Sequence, residues 1–455
     1  MKIHVKNLKS RIETDNPKLL KALVDFYTFS TPGYEFSKSY RRRQWDGKTR
    51  FISKAGYFRT GLLSDVLNTL KKIECDPEII YHESESLDLN DKNIKGFNYY
   101  DYQESLIDRA LEAKRCIVKS PTGSGKTLIM AGIVKALQGQ KMVILFNAKQ
   151  LLRQTYEFFT DACGFSNVGL SFGDGYIHGN IMLCTIQSIE TILDTHLTDA
   201  GVLMVDECHE FANGKITLPA IQSFPNAFYR FGFTATVPSD PIPINNLKGA
   251  FGEIIEQKTT ADLVEEGTLT KPIIQLIDRP YTANGIDESM SYMDVYDNFI
   301  VHHTDRNSKI KTVVNLIRDS NKNAKILVLT KSLEHGRILK DLIGGDCEFL
   351  EGANSLAERY QAIDRFRQNQ GNSVLIGTKI LQTGVNIQEI THFINARGMK
   401  SEIATLQALG RSLRKHESKS KVFVYDFLDK EKYLSNHSKA REKHYRKEGH
   451  EVEVI

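Results

Sequence analysis

Short, nearly continuous apolar runs do most to constrain what this chain can fold into. CIVKS (116–120), MVILFN (142–147), IMLCT (181–185), VLMVD (202–206) and FYRFGFTAT (228–236) form one series. KILVLT (325–330), VLIGT (374–378), HFINA (392–396) and VFVYD (422–426) form a second. Amphipathic segments of helical period separate most of them. A strand that is apolar at successive positions must be covered on both faces, and helical crossovers between such strands make a parallel α/β sheet. Two series predict two sheets of similar size, at 96–270 and 309–430, joined by a segment at 271–308. A chain of 455 residues is also too long for one core. No short solenoid period is visible.

Residues 1–95 read differently, as a small α+β module ending in a polar linker. Helices are predicted at Pro17–Phe29 and Leu62–Ile73 from apolar residues at helical spacing. The formal net charge is +4, but residues 1–100 carry 18 Lys/Arg against 13 Asp/Glu, so the rest of the chain is near neutral. Ser37–Arg59 concentrates the excess, with eight Lys/Arg, a single acid (Asp46) and five interleaved aromatics. Such a patch suits nucleic acid, with cations for phosphates and aromatic faces for unstacked bases; the competing reading is that these cations only solvate a small domain. Arg41, Arg42, Arg43, Lys48 and Arg50 are the candidate contacts. Trp45 is read first as a buried anchor of a small core and second as a base wedge. The tail 431–455 is basic and poor in large apolar residues, which predicts a solvated helix or a partly disordered end. Six scattered cysteines without zinc spacing predict free thiols in a reducing compartment. With no apolar run near 20 residues, a cytoplasmic protein without membrane association is expected.

The first strand runs into PTGSGKT (Pro121, Thr122, Gly123, Ser124, Gly125, Lys126, Thr127) and then into a helical pattern. A glycine turn between strand and helix aims backbone N–H groups at phosphate. Lys126 adds a point charge, and Thr127 offers a hydroxyl to Mg²⁺. The full GxxxxGK[ST] pattern wants glycine at 120, where this chain has Ser120. VLMVD ends in Asp206-Glu207-Cys208-His209. Asp206 can hold a Mg²⁺ water shell and Glu207 can deprotonate an attacking water, so ATP and Mg²⁺ are the expected cofactors; alone, the same residues would read as an exposed acidic turn.

These blocks resemble superfamily 2 helicases, in order, from Tyr100 to Asp426. Tyr102-Gln103 resembles the adenine-reading element, PTGSGKT motif I, LFNAKQLLRQT (145–155) motif Ia, TIQSI (185–189) motif Ib, DECH (206–209) motif II and TAT (234–236) motif III. KILVLTKS (325–332) resembles motif IV, IGTKILQTGVNI (376–387) motif V and QALGRSLRK (407–415) motif VI. The resemblance implies two tandem RecA-like motor domains behind the N-terminal module, closing around ATP to drive movement along nucleic acid. It implies that Arg411 and Arg414 are arginine fingers, with structural ion pairs as the alternative, and that Gln407 positions water or phosphate. Gly384 is assigned to nucleotide sensing, and His209, Thr234 and Thr236 to coupling. Many members have an acid where this chain has Asn386. Lys149, Arg153, Gln187 and Lys331 are the implied backbone contacts.

The aromatic and basic block around the Trp-Asp-Gly turn is similar to that of phage branch-migration helicases of the UvsW type. That likeness implies DNA, branched or forked, as the partner in replication, recombination or repair, a monomer able to act alone, and the host cytoplasm as location if the chain is phage-encoded. An RNA helicase, or an ATP-gated DNA-binding protein without processive unwinding, are the alternatives.

Overall fold

The computed structural model describes the chain apart from residues 84–87, 174, 191–198, 213–216, 222–223, 279–288, 379–386, 401–412, 414–415 and 417–418. It divides into two compact units, Met1–Ser120 with Gly125–Gln257, and Pro121–Ser124 with Lys258–Ile455.

The first unit opens with the small module. Strands β1 (Lys2–Val5), β2 (Lys9–Glu13), β5 (Tyr57–Arg59) and β6 (Glu78–Tyr81) form a mixed sheet in the order β5-β2-β1-β6, and β3 (Thr28–Ser30) pairs with β4 (Lys48–Arg50) in a separate ribbon. Helices α1 (Pro17–Phe26) and α3 (Leu63–Lys72) supply Leu23, Val24, Val66 and Leu70 to a core shared with Ile3, Ile12 and Phe58. Asn16 caps α1 by accepting from the Leu19 N–H, with Pro17 at the first helical position. The predicted helix overran that end by three residues because Tyr27 and Phe29 continue the apolar content. Trp45 is neither buried nor free: it is half-buried, and its indole N–H donates to the Lys48 carbonyl at 2.9 Å.

The module is seated on the first motor sheet. A Cβ at Gly61 would lie 2.1 Å from the Lys248 carbonyl oxygen at the end of helix Pro241–Phe251, so only glycine allows that approach. Lys248 pairs with Asp65 at 2.9 Å, and Arg115 donates to the Asn7 carbonyl at 2.6 Å.

That sheet has eight strands in the order β10-β9-β11-β8-β12-β13-β7-β14. They are β7 (Arg115–Lys119), β8 (Met142–Phe146), β9 (Val168–Phe172), β10 (Gly175–Ile177), β11 (Ile181–Thr185), β12 (Val202–Asp206), β13 (Tyr229–Thr234) and β14 (Glu253–Glu256). Only β10 runs antiparallel to its neighbour. Every residue of β8 is buried, as a strand covered on both faces requires. Helix α5 (Lys126–Ala136) is apolar almost all round, and Ile129, Met130, Ile133 and Val134 are buried. It packs on α4 (Asp101–Ala113), where a Cβ at Gly132 would meet Ile107 Cδ1 at 2.5 Å.

The second unit carries a seven-stranded, all-parallel sheet in the order β17-β18-β16-β19-β20-β15-β21. Its strands are β15 (Lys271–Asp278), β16 (Lys325–Leu329), β17 (Cys347–Leu350), β18 (Ser373–Gly377), β19 (His392–Asn395), β20 (Lys421–Leu428) and β21 (Glu451–Val454). Two expectations change here. Lys271–Asp278 is not a connector but a strand paired with β20 along its whole length. The C-terminal tail is not a solvated or disordered end: helix Leu434–Lys447 buries Leu434, Ser438, Arg441 and Tyr445, and β21 pairs with β15. All six cysteines are free, and no helix among the described residues is long and apolar enough to cross a membrane.

Candidate functional site

The loop between β7 and α5 lies at the carboxyl end of the first sheet, where parallel sheets place ligands. Gly123 and Gly125 take φ of 89° and 83°, left-handed values that glycine adopts without strain. Gly125 has a second constraint, since a Cβ there would lie 2.4 Å from Gln103 Nε2. Ser120, where the common pattern has glycine, is absent from the left-handed positions, so its backbone needs no glycine. It is buried, and its N–H donates to the Thr234 carbonyl of β13 at 2.9 Å, which ties the loop's first residue to the neighbouring strand. Ser124 Oγ donates to the Pro121 carbonyl at 2.7 Å. Lys126 and Thr127 begin α5, and Lys126 Nζ lies 3.4 Å from the Ser120 carbonyl and 3.9 Å from Glu207 Oε1.

Asp206 closes β12, one strand removed from β7 across β13. Burial, and then the Glu207 charge, push its carboxyl up to about 7 against the pull of Lys126. Glu207 holds φ 48° and ψ 49°. Such a left-handed conformation costs a side-chain-bearing residue about 1–2 kcal/mol. The conformation keeps its carboxylate near Lys126 on one side and 3.4 Å from His209 Nδ1 on the other, with Oε2 buried and without a hydrogen bond. His209 Nδ1 is 2.8 Å from Thr234 Oγ1. Because the Thr234 hydroxyl donates to the Thr236 carbonyl at 2.7 Å and accepts from the Thr236 N–H at 3.1 Å, Nδ1 is the donor to Thr234. DECH and TAT are thereby joined by one chain of polar contacts.

Tyr102 and Gln103 are buried on α4. The side-chain Oε1 of Gln103 accepts from the Tyr100 N–H at 3.0 Å, while its Nε2 faces Gly125. Lys149 and Arg153 sit exposed on α6 (Lys149–Glu157), with the Arg153 guanidinium over the Phe172 ring at 4.9 Å. Ser188 Oγ accepts from the Gly173 N–H at 3.0 Å, which brings the turn bearing exposed Gln187 to the end of β9. In the second unit the exposed Lys331 lays its ammonium over Tyr296 at 4.5 Å and Tyr292 at 5.5 Å.

Arg41, Arg42 and Arg43 are all exposed, at and just after the one-turn helix α2 (Lys38–Arg41). Lys48 is exposed beside them, and Arg50 pairs with Asp46, whose carboxyl it holds down at about 2. Gly384, Gln407, Arg411 and Arg414 lie outside the described residues. One polar cluster escaped the sequence reading: Arg306, Arg441, Asp426 and Asp429, each at most 1% exposed, gather at the ends of β19 and β20. Its only signal was the spacing 434, 438, 441, 445, a helical stripe hidden by polar residue types.

Two family descriptions match in tandem: "Type III restriction enzyme, res subunit" over residues 96–239 and "Helicase conserved C-terminal domain" over 308–416. The ATP-dependent DNA helicase uvsW of Enterobacteria phage T4 is 27% identical over 437 residues, covering 90% of this chain and 86% of that protein. The ATP-dependent rRNA helicase RRP3 of Candida albicans is 23% identical over 345 residues, 73% of this chain and 61% of that protein. In fold, an HsdR subunit fragment of a type I restriction enzyme from Vibrio vulnificus is similar at a TM-score of 0.60, with 18% identity over 78% of this chain and 68% of that one. With both motor halves matched in order around the phosphate loop and the DECH strand, the chain belongs to the superfamily 2 helicases and is an ATP-hydrolysing enzyme.

Proposed function

We propose that this ATP-dependent helicase works on DNA and remodels branched structures such as forks, junctions and R-loops. The observation that carries the motor's chemistry is the convergence of Lys126, Glu207, His209 and Thr234 at the carboxyl ends of β7, β12 and β13. Loop N–H groups and the start of α5 receive the nucleotide phosphates, with Lys126 as the point charge. Glu207 takes the proton of the attacking water, and the Glu207–His209–Thr234–Thr236 chain carries the state of that carboxylate toward the nucleic-acid track. Tyr102 and Gln103 bind the base, and Gln103 reports to the loop through Gly125. Mg²⁺ suits Thr127 and Asp206: the Asp206 carboxylate is deprived of solvent and gains from a counter-charge, and Glu207 Oε2 has an unused acceptor. The ion would neutralise charge on the phosphates.

The choice of DNA rests on the likeness to uvsW along 90% of the chain. Branch preference is supported by the exposed arginines of the module, with Lys149, Arg153, Gln187 and Lys331 as backbone contacts on the motor and action as a monomer in the cytoplasm. An RNA substrate is the second reading, favoured by the RRP3 match.

The test is steady-state ATP hydrolysis with no nucleic acid, single-stranded RNA, duplex DNA and a four-way DNA junction. Hydrolysis should rise most with the junction. Lys126→Ala and Glu207→Gln should each lower kcat by about 10²–10³-fold. Undiminished hydrolysis in Lys126→Ala would refute the motor site, and preference for RNA would refute the DNA assignment.

A further inference from the structure

In the second sheet β16, β19 and β20 are parallel neighbours, so their carboxyl ends lie together, at the end where parallel sheets place ligands. Lys331 lies just beyond β16 and Tyr433 beyond β20, and two rings of the helix Tyr292–Tyr296 connect them. The Lys331 ammonium is over Tyr296 at 4.5 Å and over Tyr292 at 5.5 Å. Tyr292 in turn meets Tyr433 edge-on, with ring centroids 6.1 Å apart and planes at 83°, and packs on His437 at 5.4 Å. The Lys432 ammonium is over the Tyr433 ring at 5.0 Å. Two cations and a row of aromatic rings therefore share one patch.

The rings differ in burial. Tyr296 is an anchor, 4% exposed, and its hydroxyl donates to the Arg397 carbonyl at 2.9 Å. Tyr292 is half-buried, whereas Tyr433 is 39% exposed. Tyr433 also occupies a backbone position that suits its residue type poorly. Its φ is 63° and ψ −44°, and the Leu434 N–H donates to the Lys432 carbonyl at 2.8 Å, which closes a γ-turn of the rare, strained hand. Glycine would make that turn at less cost. Burial of the ring does not account for a tyrosine there, and strain of this kind collects at ligand-binding positions.

We infer that Tyr433, backed by Tyr292, is a stacking platform for an unpaired base of single-stranded DNA, with Lys331 and Lys432 on the flanking phosphates. The platform rests on the reading of this motor as a DNA helicase, and it adds a contact outside the helicase motifs. A strand that alternates π-faces with phosphates matches ammonium groups set among rings. An apolar protein segment in the same place would desolvate both ammonium groups without a counter-charge. Aromatic faces accept every base and lysines hold phosphate as point charges, so the site takes a strand without regard to sequence.

The test titrates the full chain into a fluorescein-labelled oligothymidylate, followed by anisotropy, beside the same oligomer with abasic sites in place of its bases. Tyr433→Gly removes the ring and relieves the γ-turn. It should weaken oligothymidylate binding about tenfold while the melting temperature equals or exceeds the parent's. Tyr433→Phe keeps the ring and should bind within about twofold of the parent. On the abasic strand the parent and Tyr433→Gly should bind alike. Lys331→Ala and Lys432→Ala should each lower the log–log salt slope by about 0.7. Unchanged binding by Tyr433→Gly, or an equal loss on the abasic strand, would overturn the platform. Weaker binding accompanied by a lower melting temperature would overturn it too, by marking Tyr433 as a structural residue. If the parent itself fails to bind oligothymidylate, the DNA reading has failed, and the platform falls with it.

Discussion

Two basic segments, one near each end of the chain, dispose of their arginines in opposite ways. In Ser37–Arg59, Arg41, Arg42 and Arg43 stand in solvent, and the segment's single acid, Asp46, is occupied by Arg50. In helix Leu434–Lys447, Arg441 is 1% exposed and faces Asp426 and Asp429. The difference lies in phase and in supply of carboxylates. Arg441 falls on the stripe of Leu434, Ser438 and Tyr445, which turns it onto the sheet where two buried acids wait. Arg41 ends a one-turn helix and Arg42 and Arg43 follow it, without an apolar stripe or a carboxylate partner. Basic composition by itself therefore distinguishes neither a binding surface nor a structural ion pair; the surroundings do.

The largest effect expected is on the buried side of this contrast. Arg441→Ala leaves Asp426 without its cation, and urea unfolding should show a loss of about 3–5 kcal/mol. Acid should also act on the second unit. Burial holds His335 down at about 3, and His392 and His450 at about 4. These histidines are neutral when folded and bind protons when unfolded, so stability falls as pH drops from about 6.5 toward 4. Each contributes a slope of up to about 1.4 kcal/mol per pH unit, measurable by urea unfolding at pH 7, 6 and 5. The platform that displays the module's arginines comes next. Gly61→Ala forces a Cβ against the Lys248 carbonyl and should cost about 1–3 kcal/mol, read as a lower midpoint. The triple substitution Arg41→Ala, Arg42→Ala, Arg43→Ala should change stability by less than about 0.5 kcal/mol. It should nonetheless flatten the salt dependence of DNA binding, by about 0.9 in log–log slope for each phosphate that the variant no longer neutralises. A stability loss as large as that of Arg441→Ala would erase the contrast between the two segments.

The inner strands were legible because both of their faces are covered: β8, β11 and β12 appear in the sequence as unbroken apolar runs. Outer and alternating strands were not. Lys271–Asp278 has Gln275 interrupting its apolar residues and a proline near its start, and Glu451–Val454 alternates glutamate with valine. Helix Leu434–Lys447 was misread because its buried stripe includes serine and arginine, and hydropathy registers residue type before partners. At the site, PTGSGKT announced itself through spacing and context. The left-handed Glu207 did not, since nothing in the residue type signals that conformation. The Ser120 departure from the common pattern became intelligible only with the backbone in view.

Selection of branched DNA by the N-terminal module is the proposal on which the motor's function rests. Its most direct test is ATP-dependent strand displacement on a matched set of a fork, a four-way junction, an R-loop, a linear duplex and an RNA duplex. The parent protein should process the branched DNA substrates fastest, and the Arg41, Arg42 and Arg43 triple variant should lose that preference while its ATPase rate without nucleic acid is unchanged. Equal rates on linear and branched DNA, or faster work on the RNA duplex, would contradict it.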